Sequence, residues 1–360
     1  MLALSTYPAD DASLRLRFLA YVPALEAAGW EVRLHSIVSP RLFAAKNRRG
    51  VRVRLLQAAL LAKGLIGRII VIATCRRYDA IWIHREAFPF FTPWAERSIR
   101  YLTRGRVVLD FDDALYAAPP GGTDWRSRLR DPRRYRDAVL CADEILAGSP
   151  VLASWAEQQG SKVRFVPTCF EHIGPGSGST SSSATVTIGW IGSWSTAPSL
   201  SLIVDPLRSL ARQQNVRVLL VGASNLRGVA ELIPGAEWRT WSISTEHQDL
   251  SEFDIGLMPV EDSVWNQGKC AFKLVQYMSR GIPFVASPVG MNVAVTQESN
   301  AGILCTTSSE WLWALNLLVS DQCRRQAMGA DGHRYWLSHF DSRLQVPVVL
   351  AALSGDESPT

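Results

Sequence analysis

The chain has 360 residues, of which 47% are hydrophobic and 20% are charged. These values are ordinary for a soluble globular protein and exclude a disordered or fibrous chain, and the length predicts roughly two domains. The net charge of +5 is unevenly distributed: the first 170 residues carry 26 Lys and Arg against 16 Asp and Glu, whereas the remainder carries 12 against 17.

The six cysteines show no CxxC or Cys/His spacing, which argues for reduced thiols and against a zinc site. Met1 is followed at once by the first predicted strand, so we expect no signal peptide. These features together predict a cytoplasmic protein.

The chain begins with a predicted strand, helix and strand. Residues 2–6 favour a strand, residues 12–28 a helix that stops at Gly29, and the run WEVRLHSIV a second strand. This order is typical of a Rossmann-like unit, but the absence of GxGxxG argues against a nicotinamide dinucleotide site. Arg15 and Arg17 on the helix would be placed to meet a phosphate or an anionic acceptor, and the alternative is that both are exposed helix arginines.

Residues 41–77 combine basic side chains with the apolar run LLQAALLAKGLIGRIIVIA. We interpret this run as too broken by Lys63 and Arg68 to span a bilayer. It could lie along an anionic membrane surface, with its apolar face toward the lipid. The alternative is a helix that packs on the core and turns a basic face to solvent. The basic residues are Arg41, Lys46, Arg48, Arg49, Arg52, Arg54, Lys63 and Arg68.

Polar clusters follow two further predicted strands, YDAIWIH and RVVLDF. The carboxyl ends of strands in an open α/β sheet line the ligand crevice, so we expect these side chains at its mouth. Arg85 could instead pair with an aspartate. The run Asp110-Phe111-Asp112 also matches a DxD pattern that can hold a metal ion through its carboxylate oxygens, an interpretation that would leave the pattern of residues 269–283 unexplained. The clusters are His84, Arg85 and Glu86, then Asp110, Asp112 and Asp113.

Residues 174–183, GPGSGSTSSS, predict a flexible linker and a domain boundary. The second half then restarts with the strand TVTIGWIGSWS, a helix over residues 198–213, and the strands VRVLLVG and FDIGLMPV. The loop after the first of these strands offers backbone N–H groups and hydroxyls but no cation. Its residues are Gly192, Ser193, Trp194, Ser195 and Thr196.

Residues 266–292, NQGKCAFKLVQYMSRGIPFVASPVGMN, are the most informative part of the sequence. Apolar spacing predicts a helix from Lys269 to Arg280, with Gly281 as a left-handed cap and Pro283 preventing continuation. Residues 282–286 predict a buried parallel strand. Residues 311–339 then predict two helices, and residues 343–353 a helical tail.

This pattern resembles the nucleotide-sugar motif of family-4 GT-B glycosyltransferases (glycosyl transferases group 1). Leu274, Gln276, Met278, Gly281 and Pro283 match the motif, and the runs DFDDALY and GKCAFKLVQYM are similar to signatures of one subgroup. The sequence departs from the family where two glutamates usually stand, at Gln276 and eight residues earlier. The alternative is a surface helix whose lysines are merely solvated.

The resemblance implies an α/β protein of the GT-B fold, with two Rossmann-like domains whose parallel sheets face each other across a cleft. We expect an acceptor-side domain over residues 1–172, a linker over residues 173–184, a nucleotide-sugar domain over residues 185–338 and a tail over residues 339–360 that returns to the first domain. It further implies transfer with retention of configuration, without a metal or other cofactor and without a protein nucleophile.

The resemblance also assigns roles to candidate residues. The diphosphate and catalytic side would involve Lys273, Lys269, Asp110, Asp112 and His84. The donor would meet Gly192, Ser193, Trp194, Ser195, Thr196, Phe272, Leu274 and Gln276. The acceptor side would involve Arg15, Arg17, Arg85 and Glu86.

If Gln276 takes the place of the family's ribose-binding glutamate, we expect Gln276→Glu to be tolerated. The expected partners are a nucleotide sugar, a lipid-linked or otherwise anionic acceptor and an anionic membrane surface at its cytoplasmic face, with no nucleic acid. Two other functions stay open: a GT-B nucleotide-sugar epimerase, and a non-catalytic nucleotide-sugar-binding protein.

Overall fold

The structure is a computed structural model and describes residues 1–45, 50–89, 93–117, 135–170, 185–222 and 226–356. The predicted linker, together with Lys46, Arg48 and Arg49, lies outside these residues. The chain forms two compact units. The first comprises Met1–Thr168, Gly268–Cys270 and Ser342–Thr360, and the second comprises Cys169–Gln267 and Ala271–Asp341.

The described part of the first unit contains a six-stranded parallel sheet in the order β2-β1-β3-β4-β5-β6. Strands β1 and β3–β5 are almost entirely buried, as expected for short apolar runs covered on both faces. The strands are β1 (Leu2–Ser5), β2 (Arg33–Ser36), β3 (Ala80–His84), β4 (Arg106–Phe111), β5 (Glu144–Ala147) and β6 (Val163–Phe165).

Helices cover this sheet and close its core. They are Ala12–Arg17, Val22–Ala27, Pro40–Ala44, Val51–Ala73, Trp94–Leu102, Tyr135–Val139, Pro150–Gln158 and the tail helix Ser342–Ser354, with 3-10 turns at Leu19–Tyr21 and Cys75–Arg77. The tail helix packs against β4, and its Val349, Ala352 and Leu353 belong to the same core cluster as Trp82 and Val108.

The helix predicted over residues 12–28 is in fact two short helices joined by a 3-10 turn. Asp11 begins the first by accepting a hydrogen bond from the amide of Leu14 at 3.1 Å. Pro23 explains the interruption, because it has no N–H to donate to the carbonyl four residues earlier. The prediction of one continuous helix was therefore wrong, although its two ends were close.

Helix Val51–Ala73 lies in the basic segment. It has 23 residues and is long and apolar enough, by length and composition alone, to cross a membrane, although Lys63 and Arg68 lie within it. Arg68 is buried, which differs from a solvent-facing position, whereas Arg52, Arg54 and Lys63 are exposed. Several large apolar side chains are exposed as well, so the solvent-facing side of the helix is both basic and apolar.

The described part of the second unit contains another six-stranded parallel sheet, in the order β12-β11-β10-β7-β8-β9. The strands are β7 (Val186–Gly192), β8 (Val216–Gly222), β9 (Glu237–Thr240), β10 (Ile255–Met258), β11 (Phe284–Ala286) and β12 (Gly302–Leu304). The predicted α/β class with parallel sheets in both halves is confirmed.

The helices of the second unit are Val204–Leu210, Leu226–Ala230, Glu246–Ser251, Val264–Gln267, Phe272–Ser279, Met291–Ser299, Ser308–Ser320 and Gln322–His339, with a 3-10 helix at Ala197–Ile203. The prediction of one continuous helix over residues 198–213 was wrong, because the chain changes from a 3-10 helix to an α-helix after Ile203. Pro206 has no N–H to donate to the carbonyl four residues earlier, across this junction. The last two helices match the two predicted over residues 311–339.

Helix Phe272–Ser279 begins three residues later than predicted. Ala271 at its N-terminus adopts a left-handed conformation with φ of 50°. The predicted cap is present, because Gly281 has φ of 67° and ends the helix as a left-handed residue. Residues 274–279 of this helix are buried, so the alternative of a solvated surface helix was wrong.

Gly329 permits a close backbone contact in the second unit. A Cβ at this position of helix Gln322–His339 would lie 2.0 Å from the carbonyl oxygen of Gly281. The backbone of helix Gln322–His339 therefore approaches the cap of helix Phe272–Ser279 more closely than any side chain at position 329 would allow.

We expect Gly329→Ala to destabilise the protein, by about 1–3 kcal/mol, because the backbone must shift to admit the methyl group. Gly228→Ala is the matched control: Gly228 is also helical and has nothing within 4 Å of an added Cβ. There alanine should stabilise by up to about 1 kcal/mol. Thermal unfolding of both variants checks this, and equal shifts would contradict the packing argument.

Candidate functional site

The first candidate site lies at the carboxyl ends of β3 and β4. His84 and Asp110 are paired neighbours on these strands. Arg85, the residue after β3, has φ of 67°, and its N–H donates to the carbonyl oxygen of Asp110 at 2.7 Å. A left-handed arginine is uncommon and strained, so this turn is held by its surroundings.

Arg17 and Asp110 form an ion pair with no side-chain exposure. Arg17 Nε donates to Asp110 Oδ1 at 3.1 Å, and its Nη1 donates to the carbonyl of Val166. Burial by itself lowers the pKa of Arg17, but the Asp110 carboxylate raises that pKa above its usual value. Arg17 therefore stays charged in the interior.

His84 lies between Asp110 and Ser13. Asp110 Oδ2 lies 2.9 Å from His84 Nδ1, and Asp110 already accepts from Arg17, so Nδ1 is the donor. Ser13 donates its single hydroxyl proton to Asp112 Oδ2 at 2.5 Å. His84 Nε2 lies 3.1 Å from the same hydroxyl oxygen. His84 therefore connects Asp110 to Ser13 and, through Ser13, to Asp112.

Arg85 pairs with two aspartates. The alternative that Arg85 pairs with an aspartate is therefore confirmed. Its Nε donates to Asp112 Oδ1 at 2.7 Å and its Nη2 to Asp113 Oδ2 at 2.8 Å. Burial by itself raises the pKa of Asp112, but Arg85 lowers it well below its usual range. Arg85 therefore offsets part of the negative charge of Asp112 and Asp113.

Several predicted roles do not fit this arrangement. Arg17 and Asp110 are fully enclosed and satisfy each other, so Arg17 is not available to an anionic acceptor. Both oxygens of Asp110 are engaged, which also rules it out as a DxD metal ligand. The His84 side chain is only 4% exposed. Arg15 and Glu86 are half-buried.

The segment Gly268–Cys270 belongs to the first unit. The Cys270 thiol donates to the carbonyl of Asp112 at 3.1 Å, and the Ser149 hydroxyl donates to that of Gly268 at 3.0 Å. Lys269 Nζ lies 3.9 Å from Asp113. The structure thus places Lys269 against the acidic cluster of the first unit, whereas Lys273 belongs to the second.

The second candidate site lies at the carboxyl end of β7. Gly192 is the last residue of this strand. Only glycine fits there, because a Cβ would lie 2.6 Å from the Trp190 ring and 2.8 Å from Thr196 Oγ1. Ser193 O accepts hydrogen bonds from the amides of Thr196 and Ala197, both at 3.1 Å, which folds the loop into a tight turn. The other predicted loop residues, Trp194 and Ser195, are exposed.

Lys273, in the first turn of helix Phe272–Ser279, lies over the Trp190 ring, which neighbours Gly192. Its Nζ lies 5.3 Å from the ring centroid of buried Trp190, within the range of a cation–π interaction. Phe272 is half-buried, but Leu274 is fully buried in the core. The predicted contact of Leu274 with a donor is therefore wrong, because its side chain points into the packed interior.

Gln276, one turn after Lys273, meets a carboxylate from another helix. Its Nε2 donates to Glu246 Oε1 at 3.0 Å, and Trp241 Nε1 donates to the same oxygen at 3.2 Å. Gln276 and Glu246 are both 3% exposed. A carboxylate is thus present beside position 276, although it comes from a residue 30 positions earlier.

Sequence reasoning missed Trp190, Trp241 and Glu246. Trp190 lies in a strand whose other side chains are core residues, so nothing marked it out. Glu246 follows the polar turn SIST and begins a six-residue helix with no recognisable motif. A motif-based search cannot find such residues, because their role depends on which strand ends the fold brings beside the Gly192 loop.

The two units each hold a parallel α/β sheet, and this is the fold of the GT-B glycosyltransferase structures. HepE from Anabaena, solved with UDP and glucose, has a TM-score of 0.65 and 17% identity, with 98% of each chain covered. Sucrose-phosphate synthase from Thermosynechococcus elongatus has a TM-score of 0.68 and 13% identity, covering 98% of this chain and 99% of that one. A glycosyltransferase from Rickettsia africae has a TM-score of 0.68 and 11% identity, covering 98% and 97%.

Residues 185–321 match the family described as "Glycosyl transferases group 1". Apart from Gly268–Cys270, the matched residues lie in the second unit, and they include the Gly192 loop and helix Phe272–Ser279. No curated protein is similar enough in sequence to count as a match.

We expect Asp110→Asn to reduce stability by about 3–5 kcal/mol, because it leaves the buried Arg17 charge uncompensated. Glu31→Gln is the control, since the Glu31–Arg33 pair has side chains 79% and 65% exposed. Solvent screens that pair, so its loss should change stability little. Urea denaturation of both variants measures the difference, and a small loss for Asp110→Asn would show that the pair is not stabilising the unit.

The contact with Glu246 reverses the expectation that Gln276→Glu is tolerated. Two buried carboxylates about 3 Å apart repel each other, so we expect a loss of several kcal/mol that grows as pH rises. The reciprocal double variant Gln276→Glu with Glu246→Gln keeps one amide and one carboxylate. It should recover most of the lost stability in thermal unfolding, and a double variant no better than Gln276→Glu would refute the pairing.

Proposed function

We propose that this chain is a glycosyltransferase that moves a sugar from a nucleotide-diphosphate donor to an acceptor. The observation that carries the proposal is the placement of Lys273 over Trp190, beside the Gly192 loop, inside the domain that matches the group 1 family. A cation beside a glycine turn at the end of a parallel strand suits a diphosphate, since backbone N–H groups can approach its oxygens closely.

In this proposal Lys273 stabilises the diphosphate that leaves as the sugar is transferred. Negative charge grows on the leaving group in the transition state, so a fixed cation beside it lowers the barrier more than it strengthens ground-state binding. Trp190 and the buried helix restrict where the ammonium group can lie. The exposed hydroxyls of Ser193 and Ser195, 2.9 Å apart, could bind further oxygens of the donor.

Gln276 and Glu246 are proposed to serve the nucleoside. An amide paired with a carboxylate offers both donors and acceptors, as two neighbouring ribose hydroxyls require. UDP is the nucleotide to test first, because HepE holds UDP in its solved complex. In this arrangement Glu246 supplies the charge that Gln276 lacks.

We further propose retention of configuration without a metal cofactor or a protein nucleophile. The acceptor is proposed to be anionic or lipid-linked, as in glycolipid or cell-surface polysaccharide synthesis at the cytoplasmic face of a membrane. The support is the positive surplus of the first 170 residues, with 26 basic against 16 acidic side chains. Positive charge on the acceptor-side unit would attract such a molecule.

The test is release of nucleoside diphosphate from a panel of nucleotide sugars, beginning with UDP-glucose, with and without lipid extracts as acceptor source. Acceptor-dependent release supports transfer, and unchanged release in EDTA supports metal independence. Isomerised nucleotide sugar without release would indicate an epimerase. Binding of UDP by calorimetry without turnover on any donor would indicate a non-catalytic binding protein.

We expect Lys273→Ala to weaken UDP binding and donor turnover while leaving thermal stability nearly unchanged. Loss of a charge-assisted contact of about 1.5–3 kcal/mol corresponds to roughly 10- to 150-fold. Lys162→Ala is the control, since Lys162 is an exposed lysine of the first unit. If both variants retain wild-type UDP affinity and nucleotide release, Lys273 does not bind the diphosphate.

A further inference from the structure

Helix Val51–Ala73 exposes an apolar face that nothing in its own unit covers among the described residues. Six large side chains on it are between 49% and 76% exposed. They fall on one side of the helix when plotted at 100° per residue. These six residues, called the apolar face below, are Val51, Leu55, Leu56, Ile66, Ile69 and Ile70.

The opposite side of this helix is fixed to the first unit. A Cβ on Gly64 would lie 1.9 Å from the carbonyl oxygen of Ile37, so the helix backbone lies directly on the chain after β2. Ile72 is 3% exposed and packs in the same direction. The helix therefore cannot rotate to bury its apolar face without breaking these contacts.

Arg68 anchors the packed side. It is fully buried and donates to the carbonyls of Ser5, Ala87 and His35. Its Nε also donates to His35 Nδ1 at 3.1 Å. These acceptors belong to the sheet unit, so a helix crossing the lipid would have to carry an unpartnered guanidinium into the hydrocarbon. Its length permits a membrane span, but its packing does not.

The charged residues in this part of the sequence are all positive. Between Glu31 and Asp79 the sequence holds eleven Lys and Arg and no Asp or Glu. Arg52 and Lys63 project from the exposed side of the helix, and Arg76 and Arg77 are exposed just beyond its end. Long basic side chains can lay their stems along an apolar surface and reach outward with their charges. A partner that complements both the apolar face and these basic side chains has an apolar interior and an anionic surface.

We propose that the apolar face of helix Val51–Ala73 binds an anionic lipid bilayer, with the helix parallel to the membrane plane and its apolar side chains at the acyl boundary. Basic side chains beside it would meet lipid phosphates. This deepens the proposed function, on which it rests for the lipid-linked acceptor, but the contact itself requires no sugar transfer. The proposed binding differs from a purely electrostatic attachment, because the apolar residues should keep the protein on the membrane when salt screens the charges.

The experiment is co-sedimentation of the full chain with vesicles of phosphatidylglycerol and phosphatidylcholine in equal amounts, and with phosphatidylcholine alone, at low and high salt. We expect preferential binding to the anionic vesicles, reduced but not abolished by high salt. The triple variant Leu55→Gln, Ile66→Gln, Ile69→Gln should bind at least about tenfold less at both salt concentrations. The variant Arg52→Gln, Arg54→Gln, Lys63→Gln should bind less mainly at low salt.

The matched control is Leu202→Gln, Leu232→Gln, Leu337→Gln, which removes three exposed leucines of the second unit. It should bind vesicles like the wild type. Equal binding by the Leu55, Ile66, Ile69 variant and the wild type would overturn the proposal, as would a wild-type chain that ignores anionic vesicles at low salt.

Two other outcomes would assign the apolar face differently. A wild-type dimer that becomes monomeric in the same triple variant, by analytical ultracentrifugation, would identify an interface between copies. Resistance to alkaline carbonate extraction from cell membranes would indicate a span. Vesicle binding is measured without donor and nucleotide release without vesicles, so failure of this proposal is distinguishable from failure of the proposed glycosyl transfer.

Discussion

The buried Arg17–Asp110 pair is the constraint on which the first unit depends. It fixes the first helix over the end of β4, and its remaining hydrogen bonds reach β3 through His84 and the segment after β6 through Val166. Charges without exposure are costly unless each lone pair and N–H finds a partner. The neighbouring backbone, including left-handed Arg85, is therefore arranged to complete the network rather than to follow local preference.

The same network explains why the acidic run after β4 does not act as a free cluster. Asp110 faces Arg17 and His84, whereas Asp112 and Asp113 face Arg85. Each carboxylate is matched by a nearby cation, so the end of the strand carries little uncompensated charge. A run that reads as a metal motif in sequence is thus neutralised by residues from two other elements.

In the second unit, the absence of a side chain at Gly192 allows the Trp190 ring to lie beside it. Gly192 leaves room for the Trp190 ring, and that ring in turn receives Lys273. One helical turn later, Gln276 contacts Glu246. The carboxylate beside position 276 therefore comes from another helix, and a glutamate introduced at position 276 would set two carboxylates together.

Much of the fold was predictable from the chain alone. The apolar runs RVVLDF and VRVLLVG located β4 and β8 to the residue, and the cap at Gly281 was correct. The Gly281/Pro283 pattern indicated the group 1 family that residues 185–321 match. These signals are local: each depends on the φ preference, hydrogen-bonding capacity or periodicity of a few neighbouring residues. Tertiary structure decided that Arg17 is buried, that Lys269 faces Asp113, that Glu246 meets Gln276 and that helix Val51–Ala73 turns its apolar side outward. Each of those outcomes depends on which distant strand ends and helix faces pack together, and no spacing within a single segment contains that information.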